Sequence, residues 1–402
     1  MARCIMVQGT MSSAGKSLLA AGLCPAESTV RQVDLSQDIL ATLDCLQALG
    51  ADIRRRPGEG GETVILRGVN ISRIADGTML PCRESGSTMR FFLPLALASG
   101  KEIALTGAPR LLQRPMTVYE TICRQQGLQF LQQADRITVT GPLKAGAFAV
   151  PGNISSQFIT GLLVTLPLLA GDSRLTITTP LESRSYIDMT LDTLRQSGIT
   201  IHEQTEGFSV SGGQTYRPIN AAVEGDYSNA AFLDALGLDG NVTVTGLAPD
   251  SRQGDRVYRE AFHRLTQSPA QSLPVLDVRD CPDLAPILMT VAAMHHGARL
   301  TGTRRLKIKE SDRGAAMAAE LAKCGGRVEV REDEILVQAA PLHAPDETIC
   351  SHNDHRIVMA MTVLLTAVGG KIDGAEAVSK SYPGFFADIR RLGIDAVEAD
   401  CR

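Results

Sequence analysis

No Cys-x-x-Cys pair occurs in this chain, no apolar run reaches the length of a membrane-spanning helix, and neither sign of charge dominates. Nine cysteines lie scattered at positions 4, 24, 45, 82, 123, 281, 324, 350 and 401. Their odd number and irregular spacing argue against a zinc site and a disulfide framework, so a reducing cytoplasm is the expected compartment. Apolar stretches such as Ile357 to Val368 fall short of the ~20 residues that cross a bilayer. Each follows a polar cluster suited to helix capping, which predicts buried core helices. The opening MARCIMVQGT lacks the apolar core and cleavage site of a signal peptide. A formal net charge of -4 gives no general attraction to nucleic acid or to an anionic membrane. Anion affinity must therefore be local. Low-complexity sequence is absent, and 402 residues leave room for two or three domains, each with its own core, in a compact α/β protein.

What is present is a repeated phrase: a short polar cluster, an apolar helical stretch, then a break containing glycine. It opens at Gly15, Glu84, Gly152, Gly225, Asp280 and Asn353, with successive starts 69, 68, 73, 55 and 73 residues apart. In four units a run such as EIALTG, RLTITT, NVTVTG or ARLTGT follows, alternating apolar and polar residues as a half-buried strand does. Six such units divide naturally into two domains of three. Ser, Asp and Asn ahead of an apolar helix are capping residues, and helix N-termini carry free N–H groups and a positive dipole end. Several converging N-termini suit phosphates and carboxylates.

Basic residues crowd these clusters: Arg90, Arg110, Arg114, Arg356 and Lys380, with the densest group at Arg304, Arg305, Lys307, Lys309 and Arg313. Within that group LKIK alternates as a strand would, and ESDRGAAMAAELAKCGG reads as a helix with a glycine stop. Lys309 and Arg313 can both point toward one ligand from the junction. A solvated cationic face is the simpler account, but Glu310 and Asp312 are interleaved, and a catalytic site uses both signs. Asp283, beside Pro282, can be a plain cap or a catalytic carboxylate, and His355 is equally open. Ser155, Ser156 and Gln157 are capping types that can also bind a phosphate.

The phrases ESGSTMRF, GAPRLLQRP, GNISSQF, SRSYIDMT, EGDYSNAAF, RQGD, IKESDR, NDHRIVMA and SKSYPGFF together resemble the 5-enolpyruvylshikimate-3-phosphate (EPSP) synthase family, in its order, from about residue 25 to the C-terminus. The resemblance implies an α/β enolpyruvyl transferase fold of six βαβαββ repeats, three per domain, with helix N-termini facing an interdomain cleft. Residues 15–224 would form the shikimate-phosphate domain, and 1–14 with 225–402 the second. The implied reaction moves the enolpyruvyl group of phosphoenolpyruvate to the 5-hydroxyl of shikimate 3-phosphate and releases phosphate, through a tetrahedral adduct. Shikimate 3-phosphate would be held by Ser155, Ser156, Gln157, Ser183, Tyr186 and Lys309. Phosphoenolpyruvate would be held by Gly86, Ser87, Arg114, Gln157, Arg313, Arg356 and Lys380. Asp283 would accept the hydroxyl proton and Glu310 would move the C3 proton. The family uses no metal or organic cofactor and is expected to be monomeric.

Residues 1–24 depart from that pattern. MARCIMVQGTMSSAGKSLLAAGLC resembles instead the start of cobyric acid synthase, whose GTMSxxGKS is a variant phosphate loop with Gly9 and Gly15 at its spacing. Lys16 and Ser17 would then fall where the family has its Lys-Ser pair, with Lys16 counted among the catalytic residues. The family's carboxylate-binding Arg has no counterpart here, and impaired substrate affinity and turnover are the expected result. The rival readings are transfer to UDP-N-acetylglucosamine, an ATP-binding or amidoligase-like protein, and an inactive fusion.

Overall fold

The computed structural model describes residues 3–9, 11–238, 242–269 and 272–397. The chain divides into two units, one of Met1–Val7 with Gly225–Arg402 and one of Gln8–Glu224. The first crossing thus lies ahead of Gly15, and the second lies at Gly225. No helix among the described residues is long and apolar enough to cross a membrane.

The Gln8–Glu224 unit contains three four-stranded sheets of one design. In each, a parallel pair is followed by an antiparallel strand and then its hairpin partner. The orders are Asn220–Ala222, Glu27–Val33, Gly61–Arg67, Asp52–Gly58; Thr78–Pro81, Glu102–Thr106, Arg136–Thr140, Gln129–Gln132; and Ala147–Val150, Ser173–Ile177, Gly207–Val210, Ile201–Gln204. The strand alternation is realised as one buried face, with Ile103, Leu105, Ile137 and Val139 turned into the core.

The other unit repeats the design once, as Val275–Asp277, Gly297–Thr301, Glu334–Gln338 and Arg327–Val330. Among its described residues are also two parallel pairs, Arg3–Met6 with Val242–Thr245 and Ile349–Cys350 with Ile372–Asp373.

Helices that are apolar around their whole circumference must be surrounded, and those are the ones at the centre of each unit. Gly86–Ala98 and Ser156–Thr165 are buried along nearly their entire length in one unit, as Ala285–Met294 is in the other. The polar clusters become caps: Ser85 accepts from Thr88 N, Ser155 from Gln157 N, Asp226 from Asn229 N, and Asp354 from Arg356 N. Pro94 sits inside Gly86–Ala98 and has no N–H to give the Arg90 carbonyl. The Tyr119 hydroxyl fills that vacancy at 2.6 Å. Gly161 lets the Ser156–Thr165 helix press against the same carbonyl, which a Cβ would meet at 2.4 Å.

One expected strand is absent. Residues 304–308, containing the alternating LKI, form a 3-10 turn. Leu306 is 2% exposed and Ile308 38%, so the alternate apolar positions do not share a buried face. Gly302, at φ 73°, turns the chain away from the preceding strand, and Leu306 N–H closes a turn onto the Thr303 carbonyl. The following helix, Arg313–Lys323, is capped by Asp312 and stops before Gly325 at φ 84°.

Candidate active-site clusters

In the Gly225–Arg402 unit, Lys309, Arg313 and Arg356 gather around Asp283, whereas Arg304 pairs with Glu332, Lys307 is exposed and Asp312 caps its own helix. The 3-10 turn Pro282–Leu284 presents its carboxylate at the head of the Ala285–Met294 helix. Asp283 is therefore no cap. Its Oδ1 accepts from Lys309 Nζ at 3.2 Å and Arg313 Nη1 at 2.7 Å, and its Oδ2 from Arg356 Nη2 at 3.3 Å. Arg313, only 2% exposed, also donates to Glu310 Oε2 at 2.7 Å and Asp354 Oδ2 at 2.9 Å. Arg356 donates further to Ser228 Oγ, and Lys380 Nζ donates to the Asn353 carbonyl at 2.6 Å.

The charges set one another. Burial would raise the Asp283 carboxyl, but Lys309, Arg356 and Arg313 more than offset it and hold it well below the usual carboxylate range. Burial likewise opposes the Arg313 charge, and Asp354, Glu310 and Asp283 outweigh it, so Arg313 stays protonated. For Lys309 burial wins, and its ammonium lies below the ordinary lysine value despite Asp283. Burial, then the Arg356 charge, bring His355 down to about 4, so it is neutral near pH 7. Four cations, Lys309, Arg313, Arg356 and Lys380, stand with three carboxylates, Asp283, Glu310 and Asp354. That excess favours an incoming anion.

In the Gln8–Glu224 unit a second set runs along two neighbouring turns. The Glu182 N–H bonds to the Gly152 carbonyl at 3.1 Å, which ties the turn before Ser155 to the turn before Ser183. Ser183 adopts a left-handed φ of 57° and does not use its side chain to cap the Arg184–Gln196 helix. One turn further, the Tyr186 ring lies 5.7 Å from Lys16 Nζ, at cation–π distance. Gln157 Oε1 accepts from Arg90 Nη1 at 2.6 Å, and Arg90 stacks 5.0 Å from Phe158. Gly86 opens the adjacent helix against Arg114, whose Nη1 lies 2.3 Å from where a Cβ would stand. Ser87 Oγ lies 3.2 Å from Ser85 Oγ. Lys309, expected beside Ser155, Ser156 and Ser183, belongs to the other unit and is gathered there with Asp283.

The amino-terminal segment departs from a phosphate loop. Met11–Gly15 form a π-helical turn wound directly into the buried helix Lys16–Gly22, and Thr10 lies outside the described residues. The strand before it, Arg3–Met6, pairs with Val242–Thr245 in the other unit. A phosphate loop keeps its backbone N–H groups open between a strand and a helix of one sheet. Ser17 Oγ donates to the Ser13 carbonyl at 3.3 Å.

Three contributors carried no role in the sequence reading. Asp354 is two residues ahead of Arg356 in NDHR, and that adjacency was a usable signal. Arg90 was visible as a cation at a helix start. Ser228 lies in the phrase EGDYSNAAF, but more than a hundred residues separate it from Arg356, and nothing local showed that the two would meet.

The EPSP synthase (3-phosphoshikimate 1-carboxyvinyltransferase) family pattern matches residues 2–389, including the amino-terminal segment that the sequence reading set apart. The 3-phosphoshikimate 1-carboxyvinyltransferase of Clostridium kluyveri is 37% identical over 412 residues, covering 97% of this chain and 94% of the relative. That of Clostridium perfringens strain 13 is 36% identical, covering 97% and 95%. Among solved structures, an EPSP synthase from Acinetobacter baumannii superposes with a TM-score of 0.75 at 24% identity, over 98% of this chain and 96% of that one. The enolpyruvyl transferase NikO from Streptomyces tendae gives 0.74 at 15%, over 98% and 95%, a likeness of fold. The chain belongs to the EPSP synthase family, with an α/β enolpyruvyl transferase fold.

Proposed function

We propose that this chain carries out its family's reaction, transfer of the enolpyruvyl group of phosphoenolpyruvate to the 5-hydroxyl of shikimate 3-phosphate with release of phosphate. The observation that carries the assignment is the convergence of Lys309, Arg313 and Arg356 on the single carboxylate of Asp283. Three sheets in each unit, among the described residues, fit six βαβαββ repeats divided three and three.

Ser155, Ser156, Gln157 and Ser183 offer hydroxyls and an amide to the phosphate of shikimate 3-phosphate, with Lys16 and Lys309 as cations and Tyr186 along its ring. Ser17 belongs with Lys16. Gly86, Ser87, Arg114 and Gln157 receive the phosphate end of phosphoenolpyruvate together with Lys380, and Arg313 and Arg356 its carboxylate. Asp283 accepts the hydroxyl proton while C2 is attacked and gives it up with the departing phosphate; Glu310, in its protonated form in the substrate complex, delivers the proton to C3 and takes it back as the C–O bond to phosphate breaks. The cations stabilise the charge that moves onto phosphate. The protein's own side chains cover each of these steps.

The resting cluster also suggests how Asp283 becomes a base. Three cations make it a weak one. A substrate carboxylate that engages Arg313 and Arg356 offsets part of their charge at Asp283, and its basicity recovers. For the Asp283 ionisation, the acid limb of kcat, which reports the complex, then lies at higher pH than that of kcat/KM, which reports the free enzyme. Coincident limbs in the two profiles would contradict this activation. Phosphate release with both substrates present, abolished in Asp283→Asn, tests the assignment as a whole.

A further inference from the structure

Glu320 takes no part in the reaction as assigned, yet it is 2% exposed and fully committed. It lies two turns beyond Arg313 in the Arg313–Lys323 helix. Its Oε2 accepts from Lys323 Nζ at 2.7 Å and from the Cys350 N–H at 2.9 Å, and its Oε1 lies 2.7 Å from His352 Nε2. Two of these three partners belong to one short stretch, which runs from the last residue of the Ile349–Cys350 strand through the turn before the His355–Val368 helix.

That segment has an unfavourable backbone and a demanding task. His352 and Asn353 are consecutive non-glycine residues in the left-handed region, at φ 50° and 52°. Strain of that kind persists only where the surroundings fix it. Ser351 helps, through Ser351 N–H to the Asp373 carbonyl and Asn353 N–H to Ser351 Oγ. The turn places the Asn353 carbonyl against Lys380 Nζ and the Asp354 carboxylate against Arg313 Nε and Ser311 Oγ. A cation at each end of the proposed phosphoenolpyruvate pocket is thus located by two adjacent residues on one strained turn.

We infer that Glu320 and His352 form a positioning pair, which tethers the left-handed turn at 352–353 and so sets Lys380 and Arg313 for phosphoenolpyruvate. The inference rests on the reading of those two cations as phosphoenolpyruvate ligands. Neither member of the pair touches a reacting atom. The tether acts on affinity for one substrate, whereas a merely structural bond would act on the amount of folded enzyme.

The test uses the full chain and steady-state kinetics with each substrate varied in turn, beside thermal melts. Glu320→Ala is expected to raise KM for phosphoenolpyruvate about tenfold to a hundredfold, as misplacement of a binding group does, with little change in KM for shikimate 3-phosphate. Glu320→Gln keeps an acceptor for Cys350 N–H and is expected to recover much of that loss. His352→Gly keeps the left-handed turn without the tether and is expected to raise the same KM. It carries the test if Glu320→Ala fails to fold. Lys380→Ala controls the underlying reading. An unchanged phosphoenolpyruvate KM in Glu320→Ala and His352→Gly, where Lys380→Ala raises it, overturns the positioning role alone. An unchanged KM in Lys380→Ala overturns the ligand reading and the inference with it.

Discussion

At Asp283 one carboxylate answers to three cations, and this changes what its removal would do. Alanine at this position would remove more than a general base. In the structure it would strand Lys309, Arg313 and Arg356 in a buried setting, and breaking a buried ion cluster costs about 3–5 kcal/mol. Asp283→Asn, which keeps the shape and two polar atoms, is the better probe. Its kcat is expected to fall about 10²- to 10⁴-fold, in the range for a lost general base, and its melting temperature to fall less than that of Asp283→Ala. Gly86 makes a second residue-scale case. A Cβ there meets the flexible end of Arg114 at 2.3 Å, so Gly86→Ala is expected to fold normally while the displaced guanidinium raises KM for phosphoenolpyruvate. An unchanged KM would separate Arg114 from that substrate. His355 supplies a pH signature. Its folded value of about 4 lies below the ordinary 6.5, so on acidification the unfolded chain takes the proton first. Its contribution is complete above about pH 6.5 and is lost as pH falls toward 4, at up to about 1.4 kcal/mol per pH unit. Denaturant melts of His355→Gln across that window should show a shallower acid slope than the parent chain.

At the scale of elements, the helix N-termini were the legible part. Ser85, Ser155, Asp226 and Asp354 cap the helices that their sequence positions announce, because capping is a local bond between neighbours in the chain. The alternating LKIK at 306–309 is no strand, since alternation shows which residues are apolar and not whether a neighbouring strand is there to pair with. Tyr119 completing the Arg90 carbonyl above Pro94 was likewise beyond local reasoning, for the two partners meet only through the fold. Asp354 combines both kinds of bond. It caps the His355–Val368 helix and, fully buried, faces the Arg313 guanidinium. Asp354→Asn preserves the cap, as Asn serves that position as well as Asp does, but removes the charge opposite Arg313. Asp354→Ala removes both. Chemical denaturation should place the alanine variant about 1 kcal/mol below the asparagine variant, and both below the parent chain. Equal stabilities for the two variants would show that the cap contributes nothing.

For the whole molecule, a formal net charge of -4 coexists with local clusters of cations. Composition excluded a bulk attraction to polyanions, and the motifs named the residues that gather. What the sequence could not supply was their pairing: that Arg313 is shared among Asp283, Glu310 and Asp354, and that Lys16 comes to rest on Tyr186. The amino-terminal likeness to a nucleotide loop shows the same limit, because spacing alone did not reveal that Met11–Gly15 wind into a helix. The most direct measurement is phosphate release by the purified full-length chain, with phosphoenolpyruvate and either shikimate 3-phosphate or UDP-N-acetylglucosamine as acceptor, and with ATP alone. The account predicts release with shikimate 3-phosphate only, lost in Asp283→Asn. Release with the sugar nucleotide or from ATP, or none under any condition, would contradict it.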